Sequence, residues 1–326
     1  MEGSPRRALL HASEIRAVEP ENAGARATAP RRDLRSGRDV GARLVAFLEL
    51  TKPRITQLVV LTAAAGFYLG SRTGVDLRLL VHTLIGTVLV AAGTNAFNQL
   101  RERDVDARMR RTRDRPLPSG RITPRAAGAF AGAISVAGVA YLALAVNLVT
   151  AGLAALTLAS YVLLYTPLKR RTSLNTLIGA VPGALPVVGG WAAAGGEAGG
   201  AVLALFSILF LWQLPHFLAL AWIYREDYRR SGLAMLCVED PDGSRTGWMA
   251  LLYAATLLPV SLLPTLLGIT GAVYFFGAAA LGLAYLVASA AMTLAATAAR
   301  AWRVFFVSIV YLPALLTLMV LDKVVT

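Results

Sequence analysis

Cysteine is almost missing from this chain, with Cys237 the single one in 326 residues. That excludes an internal disulfide framework and a CxxC metal site. Histidine is scarce as well: His11, His82 and His216 are all there is. Acid is in short supply, 19 Asp and Glu against 32 Lys and Arg, for a formal net charge of +13. Such an excess could serve nucleic acid, but the arginines gather in residues 1–42 and on alternate loops between apolar runs. That distribution sets membrane topology and attracts anionic lipid or an anionic substrate, so no nucleic-acid partner is expected.

Apolar surface is what the chain has in plenty. Hydrophobic residues make up 56% of it and the mean hydropathy is +0.59, too apolar for an ordinary soluble domain of this length. Runs of about twenty apolar residues recur, each long enough to cross a hydrocarbon core roughly 30 Å thick. The expected class is all-α, a polytopic membrane protein. Nine transmembrane helices are predicted, at about 54–71, 78–98, 125–145, 148–166, 174–194, 201–223, 248–267, 271–290 and 303–321. The fifth is interrupted by Gly179, Pro182, Gly183, Pro186, Gly189 and Gly190, which marks close helix packing or backbone opened onto a cavity.

Residues 1–42 hold no sustained apolar run, so they lack the core of a secretory signal. Glu14, Glu19, Glu21 and Asp33 argue against a transit peptide. A disordered basic tail is expected there, ahead of a membrane domain at 43–326. With the tail inside, the loops at 99–124, 167–173, 224–247 and 291–302 fall on the cytoplasmic side and hold nearly all the loop Arg and Lys. Both long polar loops then share one face and can close over one cavity. The acid-containing tail favours a bacterial plasma membrane over a mitochondrial inner membrane.

One polar stretch stands out among the apolar runs. Asn98, Glu102 and Asp106 recur every fourth residue. At roughly 100° per residue a helix carries all three on one face, a turn apart, with Asp104 on the opposite side. Nine arginines from Arg101 to Arg125 surround them. Oxygens in a row beside concentrated positive charge suit a hard divalent cation clamped onto a diphosphate. The arginines alone fit equally well with a solvated loop that orients the chain, and spacing leaves both readings open.

Elsewhere the signals are single residues. An ionisable side chain within a span is a functional suspect, which singles out His216 in Trp212-Gln-Leu-Pro-His216; the plainer reading bonds it to a carbonyl freed by Pro215. His82 is expected as a polar contact between helices. Trp191, Trp212, Trp222 and Trp248 lie near predicted span ends and read as interface anchors. Spans broken by Gly and Pro also fit a transporter. That reading wants charges at the bilayer midplane and internal repeats, whereas the acids here cluster at the mouth of a span.

The stretch from Asn98 through Glu102, Asp106, Met109, Thr112 and Arg115 to Pro116-Leu-Pro resembles the first motif of the UbiA-type intramembrane prenyltransferases. Supporting segments are Leu50-Thr-Lys52-Pro-Arg54, Tyr165-Thr-Pro-Leu-Lys169-Arg170, Asn175 to Pro186, Trp212 to Phe217, and Tyr224-Arg-Glu-Asp227-Tyr228. The likeness runs in order from about residue 45 to 322, and it is closest to the branch that farnesylates haem. The resemblance implies nine helices around a central cavity, two acidic loops on the cytoplasmic side, and Mg²⁺-dependent prenyl transfer. It places Mg²⁺ on Asn98, Glu102 and Asp106. Diphosphate charge would fall to Lys52, Arg54, Arg113, Arg115, Lys169 and Arg170, with Arg54 and Lys169 best placed at span ends. Tyr224, Asp227 and Tyr228 form the second polar loop.

The branch further implies farnesyl diphosphate and haem B as substrates, with haem a substrate rather than a cofactor. His216 would contact the haem, by its iron or a propionate. A haem A synthase or haem-copper oxidase assembly proteins would be partners. Two departures stand out. Glu102 occupies a position that is usually aspartate, and Glu226 with Asp227 replaces the usual Asp-x₃-Asp. A family member with a quinone-precursor or chlorophyll-type acceptor is the alternative.

Overall fold

The computed structural model describes residues 37–72 and 74–324. Of the expected tail, 1–36 lies outside the described residues, and 37–42 opens the first helix, α1 (Gly37–Leu50). Then follow α2 (Pro53–Gly70), α3 (Leu77–Asp106), α4 (Pro124–Ala145) and α5 (Leu148–Ala159). A π-helical stretch at Ser160–Tyr165 leads from α5 into α6 (Thr166–Leu168), so that Leu148–Leu168 runs as one segment. The remainder is α7 (Asn175–Ala193), α8 (Gly200–Ile223), the short α9 (Arg225–Ser231) and α10 (Leu236–Glu239), α11 (Ser244–Leu266), α12 (Ala272–Leu294) and α13 (Ala298–Leu321).

The protein is an all-α, multi-pass membrane protein. Among the described residues, eight helices are long and apolar enough to cross a membrane. The predicted span missing from these eight is the first, α2, whose opening residues include Arg54, Thr56 and Gln57 and dilute its apolarity. Polar caps mark the starts of four of the other helices. Asp76 accepts from Leu79 N at the start of α3, Thr123 from Ala126 N before α4, Asn147 from Thr150 N before α5, and Thr297 from Arg300 N before α13. The predicted 291–302 loop shrinks to 295–297, because α12 runs on to Leu294 and α13 already begins at Ala298.

Packing divides the long helices into two groups. α2, α3, α4, α5 and α7 pack in a closed series, and α8, α11, α12 and α13 in a second; α7 on α8 and α2 on α13 join them. α2 and α7 approach backbone to backbone. A Cβ on Gly66 would strike the Val187 carbonyl, and one on Gly190 the Ala63 carbonyl. Gly190 of the fifth predicted span thus serves close packing, and α7 stays helical through Pro182 and Pro186. Gly190→Leu is expected to remove most folded protein. Backbone cannot yield as a side chain can, so the cost exceeds the roughly 1–3 kcal/mol typical of overpacked cores. Size-exclusion chromatography of detergent-solubilised protein checks this: a monodisperse wild-type peak lost to aggregate.

The tryptophan expectation needs correction. Trp191, Trp212 and Trp222 are buried, and only Trp248, at 62% exposed, stands at a surface. Trp212 donates to the Ser308 carbonyl at 2.8 Å and Trp191 to the Glu197 carbonyl at 2.9 Å. A nearby internal acceptor outweighs the interface preference read from position alone. His82 meets Tyr141 at 2.6 Å, joining α3 to α4.

Candidate active site

α3 outruns its apolar section and carries the polar ladder on its last turns. Asn98, Glu102 and Asp106 are all buried, at 1%, 9% and 1% exposed. Each meets a cation from a different part of the chain. Lys52 Nζ donates to Asn98 Oδ1 at 2.7 Å, Lys169 Nζ to Glu102 Oε1 at 2.7 Å, and Arg115 Nη1 to Asp106 Oδ2 at 2.8 Å.

Lys52 sits at the break between α1 and α2 with φ 48°, the single non-glycine residue in the left-handed region among the described residues. That conformation costs on the order of 1–3 kcal/mol and persists only when the surroundings over-determine it. Here they do. Asn95 Nδ2 donates to the Thr51 carbonyl at 3.2 Å, and Gln99 Nε2 to the Glu49 and Leu50 carbonyls at 3.0 and 3.1 Å. Asn95 Nδ2 also donates to Thr56 Oγ1 at 3.2 Å, so the ladder helix grips both sides of the strained residue. Burial, with the Arg115 charge adding to it, pulls the Lys52 ammonium down to about 7.

Lys169 follows the π-helical stretch. Its side chain and that of Glu102 are 16% and 11% exposed, and its ammonium lies 4.5 Å from the centre of the Tyr165 ring. Burial works to lower its pKa, but the Glu102 carboxylate prevails and holds it well above the usual lysine range. Thr166 ties the same segment to the ladder, accepting from Asn98 Nδ2 at 3.3 Å and donating to the Tyr161 carbonyl at 2.8 Å.

The loop after α3 folds back on the ladder through Thr112 Oγ1, which donates to the Asp106 carbonyl at 2.9 Å, and through Arg115. Asp106 Oδ1 is left buried with no hydrogen-bond partner among the described residues. Beside the middle rung lies a cavity of about 390 Å³, lined by Arg101, Glu102, Val105, Thr166, Pro167, Arg170, Arg171 and Leu233. One acid faces three arginines there, a setting for an anionic ligand.

The second polar loop docks on this mouth. Ala234 N donates to the Lys169 carbonyl at 2.8 Å, Asn175 Nδ2 donates to the Ala234 carbonyl at 2.7 Å, and Arg111 lies 4.8 Å from the Tyr224 ring centre. Tyr228 packs half-buried against the core, and burial raises its phenol pKa. Asp227 is buried and accepts from Arg230 on its own helix at 3.3 Å.

The six candidate diphosphate cations separate. Lys52, Arg115 and Lys169 join the ladder, and Arg170 rims the cavity. Arg54 is exposed, and Arg113 is 65% exposed beside Asp114. His216 lies in another place, on α8 against α13, with Nδ1 2.7 Å from Ser308 Oγ. The sequence reading passed over Asn95, Gln99, Thr166, Arg111 and Ser308. Asn95 and Gln99 were within reach, because at helical spacing Asn95 extends the ladder's polar face by one turn and Gln99 widens it.

Among the described residues, no three His, Cys, Asp or Glu side chains converge on one point. A metal here would draw on two carboxylates and an amide. Mg²⁺ suits such a partial set, because it keeps water and takes phosphate oxygens rather than needing an all-protein cage. The unpartnered Asp106 Oδ1 fits it too.

A bundle of membrane helices with an acid ladder and cations at its mouth is an arrangement suited to an anionic ligand. A family model described as the UbiA prenyltransferase family matches residues 59–310, and the chain belongs to that family. The protoheme IX farnesyltransferase of Solibacter usitatus is 48% identical over 286 residues, which cover 85% of this chain and 98% of that one. A solved structure concerning digeranylgeranylglyceryl phosphate synthase superposes with a TM-score of 0.73 at 19% identity, covering 86% of this chain and 98% of its own. A UbiA homolog from Archaeoglobus fulgidus, bound to DMAPP and Mg²⁺, gives 0.61 at 18% identity, covering 84% and 98%.

Proposed function

We propose that the protein transfers the farnesyl group of farnesyl diphosphate to a vinyl group of haem B, with addition of water, giving haem O and diphosphate. The observation that carries this is the ladder itself, three buried rungs each in contact with a cation beside an arginine-lined cavity. The farnesyltransferase relative supports the choice of haem as acceptor.

Asn98, Glu102 and Asp106 would hold Mg²⁺. When bound, the ion supplies charge neutralisation to a departing diphosphate. Lys52, Arg115 and Lys169 bind the phosphate oxygens, with Arg170 at the rim and the bidentate fork of Arg115 suited to the terminal phosphate. The docked loops, with Tyr224, Asp227 and Tyr228, cover the mouth and keep water from the allylic cation. In the balanced reaction the bond from farnesyl C1 to the diphosphate oxygen breaks. The vinyl terminal carbon then bonds to C1, and water captures the new cation and loses a proton. His216 would contact the acceptor, through its iron or a propionate.

The same reading puts the ladder and the chain's N-terminal segment on the cytoplasmic side of a bacterial plasma membrane, with 1–42 outside the catalytic domain at 43–326. The alternation of basic loops supports it. Product would pass to a haem A synthase or to haem-copper oxidase assembly.

Membranes from cells expressing the protein, given farnesyl diphosphate and haem B, are expected to accumulate a haem heavier by one farnesyl group plus one hydroxyl group. Reverse-phase chromatography with mass detection reads it. EDTA is expected to stop its formation and Mg²⁺ to restore it. Unchanged haem B under ample supply of both substrates would remove haem as the acceptor.

A further inference from the structure

His216 is held more tightly than its own chemistry requires. Its ring is stacked between Trp212, 5.4 Å away at 26°, and Phe305, 4.9 Å away at 28°. Phe217 meets it edge-on at 5.3 Å. The stack fixes the plane of the ring, and one hydrogen bond fixes its rotation within that plane: Nδ1 lies 2.7 Å from Ser308 Oγ. Ser308 is fully buried at 0% exposed. Its backbone is anchored by the same helix, because Trp212 Nε1 donates to the Ser308 carbonyl at 2.8 Å. Two residues one turn apart on α8 thus grip a single residue of α13.

The direction of the serine–histidine bond follows from counting protons. The Ser308 hydroxyl has one proton and is in hydrogen-bond contact with the Phe305 carbonyl. A carbonyl carries no proton, so the hydroxyl donates there. Towards His216 the serine oxygen can only accept, so the imidazole must carry its proton on Nδ1. A neutral imidazole protonated on Nδ1 presents the lone pair of Nε2, and among the described residues Nε2 makes no hydrogen bond. Histidines that bind metals are set up in this way, with the far nitrogen donating to an acceptor that selects tautomer and orientation.

We propose that Ser308 is a positioning residue that fixes the Nδ1–H tautomer of His216 and so presents Nε2 to the iron of the haem acceptor. This deepens the proposed function and rests on its reading of His216 as the haem contact. Ser308 itself touches no haem atom. Its effect passes through the imidazole, and it sets how strongly and in which orientation the haem is held.

The test is titration of the purified full-length protein in detergent with ferric haem B, read by the Soret band and by the spin state of the iron. Wild type is expected to show a saturable, histidine-ligated spectrum. Ser308→Ala is expected to weaken haem binding by at least about tenfold, as loss of an outer-shell partner does, and to broaden or shift the ligated signature. Ser308→Thr keeps the hydroxyl and is expected to restore both. If Ser308→Ala does not fold, Ser308→Cys supplies a near-isosteric side chain with a weak acceptor and is expected to show the same loss. His216→Ala separates the two claims. A His216→Ala protein with an unchanged haem spectrum overturns the histidine contact on which this inference rests. Loss of ligation in His216→Ala, with wild-type affinity and spectrum in a folded Ser308→Ala or Ser308→Cys protein, overturns the role of Ser308 alone.

Discussion

Asp106→Ala is expected to lower haem O formation more than about 100-fold, beyond what the loss of an outer-shell metal partner costs. Asp106 is the most enclosed carboxylate of the ladder, 1% exposed. One oxygen receives Arg115 at 2.8 Å and the other has no partner among the described residues. Removing the side chain takes away a ligand for the divalent cation and also the anchor of Arg115. The phosphate site thus loses both a metal donor and the placement of a cation. Asp106→Asn separates these contributions. It keeps the shape and an acceptor for Arg115 but loses the charge, so turnover should stay low while the protein elutes as wild type. Extracted haems separated by reverse-phase chromatography with mass detection read the product. An Asp106→Ala protein that makes haem O within a few-fold of wild type would remove the ladder from the reaction.

Glu102 and Lys169 are expected to behave as a unit in stability and to fail together in turnover. Their contact is 2.7 Å long, and little of either side chain reaches solvent. Removing one partner of such a pair strands a charge in a poorly hydrated site, which costs about 3 kcal/mol or more. Glu102→Gln and Lys169→Met are each expected to lower the Tm in detergent by roughly 6–12 °C, at a few degrees per kcal/mol. The double variant strands neither charge, so its Tm should fall no further than that of the worse single variant. Such non-additivity is the signature of direct coupling. Turnover should not recover in the double variant, because the site then lacks a carboxylate for the metal and a lysine for the phosphate. Additive Tm losses would show that the two groups act independently.

Much of the protein follows from local rules. Hydropathy marks the spans, because a bilayer demands about twenty apolar residues wherever the chain crosses it. α2 meets that demand least well, which is why it sits at the margin. Helical spacing put Asn98, Glu102 and Asp106 on one face, and α3 carries them there because it runs on to Asp106. The resemblance offered six cations, and position at span ends favoured Arg54 and Lys169 among them. Lys169 does meet a rung, whereas in place of Arg54 the structure brings Lys52, two residues earlier, onto the ladder.

What the sequence determined by itself is the class, the phase of the ladder, and the face shared by two polar loops. Each of these depends on neighbours within a few turns of the same helix or on the sum of loop charges. The tertiary structure decided which cation meets which rung. Lys52 lies 46 residues from Asn98 and Lys169 lies 67 from Glu102, so those pairs exist only because α2, α3 and the end of α6 pack together at the mouth. It also decided that Lys52 takes a left-handed backbone, since Asn95 and Gln99 reach across from α3 to hold the junction. The bond from His216 to Ser308 spans 92 residues. No periodicity encodes such a contact. It arises where small and aromatic side chains let α8 and α13 approach, and that approach is set by packing of the whole bundle rather than by either segment alone.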